Sequence, residues 1–228
     1  METIDNVLEC AKFGLIATGM QEPIFANDLT LKTSSIRREQ YLCDFDHRPF
    51  LPNRDRDFKY LLTEEYRRGY ACFKYAVSRV IQPESIIEIG VGAGTGALAM
   101  LHACPDAEYL GIDDNSKCAH DAWDFTGFVK EWMAKLNFKF NFMIQDSLTI
   151  MSLPSVSLFH VDGDHAYKNA FNDSLLAFNS GSKWILVDDS RDLTVVRGAF
   201  DALAESKRAY EWAYFDDTWT GNLLFCAK

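Results

Sequence analysis

Two short stretches of this 228-residue chain carry the residues best suited to chemistry. In Leu158-Phe159-His160-Val161-Asp162-Gly163-Asp164-His165, an apolar run ends in an acid, and a helix is expected two or three residues further on. In Trp184-Ile185-Leu186-Val187, a second apolar run ends in Asp188 and Asp189. Read as strands of an open parallel sheet, both runs deliver acids to the crevice at the strands' carboxyl ends, where ligands of such sheets bind. Converging carboxylates repel one another, and a hard divalent cation with oxygen ligands, Mg²⁺ or Mn²⁺, would neutralise Asp162, Asp188 and Asp189 together. A plainer use competes with this one: Asp162 or Asp164, and Asp188 or Asp189, would also serve as helix caps. Strand geometry adds a condition, because neighbouring side chains point to opposite faces. Asp188 and Asp189 can both meet one ion only where the strand has ended. No Cys or His set has the spacing of a zinc site.

A third stretch, Glu88-Ile89-Gly90-Val91-Gly92-Ala93-Gly94-Thr95-Gly96, lies between an apolar run and a helical one. Glycines there let the backbone turn tightly and approach a ligand, which helix N-terminal amides then face. Gly92, Gly94 and Ala97 also satisfy a dinucleotide-binding pattern, so the turn alone is ambiguous. Three acids favour S-adenosylmethionine. Glu88 lies in the strand just before the turn, where it could neutralise a cationic amino-acid group. Asp113 ends the second strand, placed to accept from ribose hydroxyls, although a loop or helix-capping acid would look the same. Asp146 and Ser147 follow the third strand, placed to meet an adenine edge.

These residues need elements to hold them. After Pro83 the chain alternates strands with helices. Ser85–Ile89, Glu108–Ile112, Phe140–Ile144, Val156–Val161, Trp184–Val187, Tyr210–Phe215 and Leu223–Cys226 read as strands. Helices are expected at Ala97–Ala103, around Trp123–Leu136, at Ala166–Phe178 and at Val195–Glu205. Apolar strands separated by helices imply a parallel sheet covered on both faces. Only Asp216 to Asn222 join the last two strands, too few residues for a helical crossover, so those strands should form an antiparallel hairpin. The expected fold is α/β, doubly wound, with a mostly parallel seven-stranded sheet whose last strand is reversed. Before Pro83, Ile4, Val7, Leu8 and Ala11 suggest a short amphipathic helix. Leu62, Tyr66, Tyr70, Phe73, Val77 and Val80 suggest a longer one. Residues 33–57 mix Arg with Asp around Pro49 and Pro52, and read as a solvated loop or a lid. The chain thus divides into a helical and lid-like segment, 1–82, and a core, 83–228.

From about Ile81 to Lys228 the sequence resembles the class I S-adenosylmethionine-dependent methyltransferases, whose first motif has the acid-x-Gly-x-Gly-x-Gly form of Glu88 to Gly94. The resemblance implies a Rossmann-like methyltransferase fold, with the terminal hairpin as its sheet signature. It places Glu88, Gly90, Gly92, Gly94 and Thr95 at the methionine and ribose end, Asp113 on the ribose, and Asp146 and Ser147 near the adenine. Asp162 with Asp188 and Asp189 resembles the metal set of catechol O-methyltransferase-like enzymes. The segment Val161-Asp162-Gly163-Asp164-His165-Ala166-Tyr167 is similar to the macrocin and mycinamicin O-methyltransferases, which modify sugars on natural products. That likeness implies a general base at His165; an imidazole, with its usual pKa of about 6.5, suits proton removal near neutral pH. Gly96 departs from the pattern, since catechol-type relatives often carry a Ser there.

Composition sets the outer bounds. A formal net charge of −10 argues against nucleic acid or anionic lipid as the main partner. No apolar run approaches the roughly 20 residues of a membrane span, and the Met1-Glu2-Thr3-Ile4-Asp5 opening is unlike a secretory signal. Six scattered cysteines without a Cys-x-x-Cys pair read as reduced thiols, hence a cytoplasmic setting. The expected activity is divalent-metal-dependent O-methylation of a small-molecule hydroxyl on a sugar, polyol or catechol-like acceptor. The competing readings are another chemistry on the same fold, metal-independent N-methylation, and an NAD-dependent dehydrogenase. Trp219 could flank the acceptor, and the N-terminal helix could support a homodimer.

Overall fold

A computed structural model describes residues 27–50, 59–115 and 125–228. Seven strands form one sheet: β1 Ser85–Ile89, β2 Glu108–Asp113, β3 Lys139–Ile144, β4 Leu158–Val161, β5 Trp184–Val187, β6 Tyr210–Phe215 and β7 Asn222–Ala227. Their order is β3-β2-β1-β4-β5-β7-β6. Every pairing is parallel except those of β7, which runs antiparallel to both β5 and β6. The expected hairpin is therefore present, and its second strand is inserted between β5 and β6.

The helices are α1 Asn27–Leu42, α2 Cys72–Ile81, α3 Thr95–Ala103, α4 Phe125–Lys135, α5 Tyr167–Ser180 and α6 Leu193–Ser206. Strand alternation sorts the core into two. Ile86, Leu158, Trp184, Leu186 and Leu224 pack with α1 to α4 on one face. Ile87, Ile89, Phe159, Val161, Ile185 and Val187 pack with α5 and α6 on the other. This is the two-faced burial that near-continuous apolar strands require. Among the described residues, no helix is long and apolar enough to cross a membrane.

The front of the chain differs from expectation. Residues 33–42, read as loop or lid, belong to α1. Its Arg, Glu and Gln are good helix formers, and Thr33 and Ser35 bond back to the carbonyls of Leu29 and Leu31. Only Leu29 and Ile36 are buried hydrophobics of this helix, so its sequence carries no broad apolar stripe. The helix expected from Leu62 is interrupted. A Glu64–Tyr66 turn, capped by Thr63, passes through a π-helical segment at Arg67–Ala71 before α2 begins. Gln82 closes α2 in the left-handed conformation just ahead of Pro83. The expected helix at Ile4–Ala11 and the stretch 51–58 lie outside the described residues.

Candidate active site

A cavity of about 460 Å³ opens at the carboxyl ends of β1 to β5. Such a volume lies within the range of small-molecule sites. Sheet order fixes its layout, with Asp113 at the end of β2 and Asp146 after β3 on one side, and Asp188 and Asp189 after β5 on the other. Gly90, Gly92 and Thr95 line the middle.

The glycine turn is shaped by close packing. Gly90 has φ +86°, and a Cβ there would stand 2.0 Å from the Asp162 carbonyl oxygen, so the turn rests directly on the β4 end. Gly92 also has positive φ, at +48°, but a Cβ there would meet only open space. Its amide donates to Asp113 Oδ2 at 2.9 Å, while Asn115 N donates to Oδ1 at 2.8 Å. Asp113 thus braces the turn that it was expected to share a ligand with. Asp146 caps the Ser147–Thr149 turn through the Leu148 amide.

Two expected cofactor residues do not line the cavity. Gly94 packs against Val129 and Trp132 of α4, where a side chain would clash. Glu88 is fully buried beneath the turn. Its Oε1 lies 3.0 Å from His160 Nδ1, and Tyr109 Oη donates to Oε2. In register, Glu88 stands between Gly111 of β2 and His160 of β4. Burial pushes its carboxyl up to about 8. Glu88 therefore reaches the cavity only through the turn that covers it. The packing also accounts for Gly96, where a Cβ would stand 2.4 Å from Glu88 Oε1, leaving no room for a Ser.

On the far side, Asp162, Asp188 and Asp189 offer one oxygen each within 4.8 Å of one another. The strand-end condition is met, because β5 stops at Val187 and Asp189 takes φ +51°, which breaks the alternation of side chains. Of the four capping candidates only Asp164 bonds an amide next to a helix start, and α6 is capped by a residue outside that set. Asp164 bonds the Ala166 amide before α5, and Asp192 caps α6. Tyr70 Oη donates to Asp162 Oδ2. Asp188 Oδ1 accepts from Thr220 Oγ1 at 2.8 Å, and its Oδ2 lies 2.9 Å from Lys74 Nζ. Asp189 Oδ2 is 2.7 Å from His165 Nε2. Burial, then the Asp188 charge, raises the Asp162 carboxyl well above the usual range. Burial, then the Lys74 charge, holds the His160 imidazole well below its usual value, so it is neutral.

Several lining residues, Tyr60, Tyr66 and Tyr70 among them, escape notice as site residues in the sequence, whereas Trp219 is the one expected beside an acceptor. Tyr66 and Tyr70 stack at 4.8 Å between ring centroids, and Trp219 meets Tyr66 edge-on at 5.5 Å. With Tyr60 they form an aromatic wall beside the acids. In the sequence, Tyr66 and Tyr70 belong to a helical apolar stripe; the one visible signal is Lys74, a cation four residues further along that face. Asp173, also lining, is buried, which pushes its carboxyl up to about 6. Among the described residues, none from Ser35 to Phe50 lines the cavity.

The comparisons agree with this architecture. Residues 87–190 match the family model described as a methyltransferase domain. The O-methyltransferase TomG from Streptomyces achromogenes, involved in tomaymycin synthesis and solved with S-adenosylmethionine, superposes with a TM-score of 0.52. It is 14% identical, over 86% of this chain and 96% of that one. The Podospora anserina methyltransferase PaMTH1, solved with S-adenosylhomocysteine, gives 0.52 at 15% identity over 86% and 87%. The Bacillus cereus O-methyltransferase, also with S-adenosylhomocysteine, gives 0.50 at 13% over 86% and 91%. No curated protein matches the chain. The protein has the class I methyltransferase fold. Its reversed β7 separates it from the all-parallel order of the dinucleotide-binding fold.

Proposed function

We propose that the protein is an S-adenosylmethionine-dependent O-methyltransferase, assisted by a divalent cation, acting on a hydroxyl of a small molecule. The observation that carries the proposal is that Asp162, Asp188, Asp189 and His165 meet beside the same cavity as the Gly90–Gly92 turn. The cofactor fit rests on Gly92, whose missing side chain faces open space, and on Asp113 held beside it. The metal fit rests on oxygen spacing. Ligands at about 2.1 Å around Mg²⁺ stand up to roughly 4 Å apart, so the 4.8 Å cluster needs only small side-chain adjustments. Bound there, the cofactor supplies an electrophilic methyl group, and the ion would lower the acceptor hydroxyl's pKa.

The chain's own residues supply the rest. His165 accepts the hydroxyl proton, and Asp189, 2.7 Å from Nε2, orients the ring and stabilises its protonated form. Thr194 Oγ1 holds the His165 carbonyl at 2.7 Å, anchoring the loop against α6. Tyr66, Tyr70 and Trp219 form a rigid wall that excludes water and orients a flat acceptor face, which suits a catechol-like ring or a sugar equally. The test uses labelled S-adenosylmethionine with a panel of catechols, polyols and glycosides, with and without a chelator. Methyl transfer that the chelator abolishes and Mg²⁺ restores supports the proposal; chelator-insensitive transfer removes the metal, and transfer confined to amines removes the O-methyl assignment.

A further inference from the structure

We propose that Lys74 is a positioning residue that sets the charge of the acidic cluster at the value one divalent ion neutralises. The inference rests on the reading of the three acids as metal ligands. Lys74 comes from α2 and is fully buried. Its ammonium stands behind the cluster, outside the lining of the cavity: Nζ is 2.9 Å from Asp188 Oδ2, 2.7 Å from Asn222 Oδ1 and 4.9 Å from the centre of the Tyr70 ring. Asn222 is oriented for the task. Its Nδ2 donates to Thr218 Oγ1 at 2.9 Å, which turns the carbonyl oxygen toward the ammonium.

Burying an ammonium is costly unless it is paired, and an apolar side chain could fill the same space without that cost. What an apolar side chain could not do is cancel charge. With an ion bound and Asp162 ionised by it, Asp162, Asp188 and Asp189 would bring three negative charges, and the fully buried Lys74 one positive charge. Two remain, which is the charge of Mg²⁺ or Mn²⁺. The same contact pins Asp188, only 1% exposed, against 14% for Asp162 and 17% for Asp189.

The inference is tested by ion selectivity, a readout that loss of packing alone would not move. Mn²⁺ affinity is read by electron paramagnetic resonance, and Tb³⁺ affinity by luminescence sensitised through the neighbouring aromatic wall. In Lys74→Gln the site gains a negative charge, and the preference for Tb³⁺ over Mn²⁺ should rise at least about tenfold, whereas Lys74→Arg should stay within about threefold of wild type. Asp188→Asn should shift the preference the other way, and Lys74→Gln/Asp188→Asn should return it to the wild-type value. The Asp188→Asn and double variants decide the question even if Lys74→Gln alone does not fold. An unchanged preference in Lys74→Gln, or a double variant no different from Asp188→Asn, overturns the role of Lys74 while leaving the metal site. A wild-type protein that binds neither ion overturns the metal reading and this inference with it.

Discussion

Glu88 and His165 illustrate how burial divides polar residues between structure and chemistry. Glu88 keeps its proton in the folded chain up to about pH 8, against an ordinary 4.5. Between those values the folded state binds more protons than the unfolded state, so stability falls as pH rises through that window. Glu88→Gln mimics the protonated form and can keep both the Tyr109 and the His160 contact. Urea midpoints should therefore favour the variant increasingly from pH 5 to 8.5, with a gap of a few kcal/mol at the upper end, about 1.4 kcal/mol per pKa unit. Equal midpoints across that range would contradict the assignment. His165, about half-exposed, lines the cavity instead. His165→Gln should lower kcat by roughly 10²–10⁴-fold. It should also remove the acid limb of the rate profile, since an imidazole accepts a proton only when neutral. The glycines split the same way. Gly90→Ala drives a methyl into the Asp162 carbonyl and should destabilise the fold by about 3 kcal/mol or more, read from urea midpoints. Gly92→Ala meets no atom, should cost only about 1–2 kcal/mol for its left-handed backbone, and should weaken cofactor binding in calorimetry.

Elements decide which of these residues meet. The strands were legible in the sequence because apolar runs of four to six residues between turns have few alternatives, and an acid at a strand's carboxyl end is located as soon as the strand is. The acids after β4 and β5 were readable for that reason. α1 was not, because a solvated polar helix shares its composition with a charged loop. Tyr66 and Tyr70 have the helical spacing of a packing stripe, and Lys74 is the one cation that interrupts it. Their contact with the acids depends on where the π-helical segment turns them, and that is a tertiary fact. The same segment docks the β6–β7 loop, since Trp219 N donates to the Gly69 carbonyl at 3.1 Å and a Cβ on Gly69 would stand 2.8 Å from that nitrogen. Gly69→Ala should therefore displace Trp219 and Thr220, lowering kcat/KM by on the order of 10²-fold. The melting temperature should fall by only a few degrees, about the shift expected for 1 kcal/mol. A variant with wild-type kcat/KM would show that the loop does not need this contact.

At the scale of the whole molecule, the front segment and the sheet form one working unit. α2 lends Lys74 to Asp188, and the turn before it lends Tyr66 and Tyr70 to the cavity, so the boundary drawn at Pro83 in the sequence crosses the candidate active site. The net charge of −10 is likewise not all surface, because three of its acids converge and one buried lysine answers them. The central claim, that the cavity between the glycine turn and these acids binds S-adenosylmethionine, is tested most directly by isothermal titration calorimetry. The wild-type chain should bind one S-adenosylmethionine and give no heat with NAD⁺, and Asp113→Ala, where the Gly92 amide loses its partner, should bind at least about tenfold more weakly. NAD⁺ binding in place of S-adenosylmethionine, or S-adenosylmethionine binding that Asp113→Ala leaves untouched, would contradict that claim.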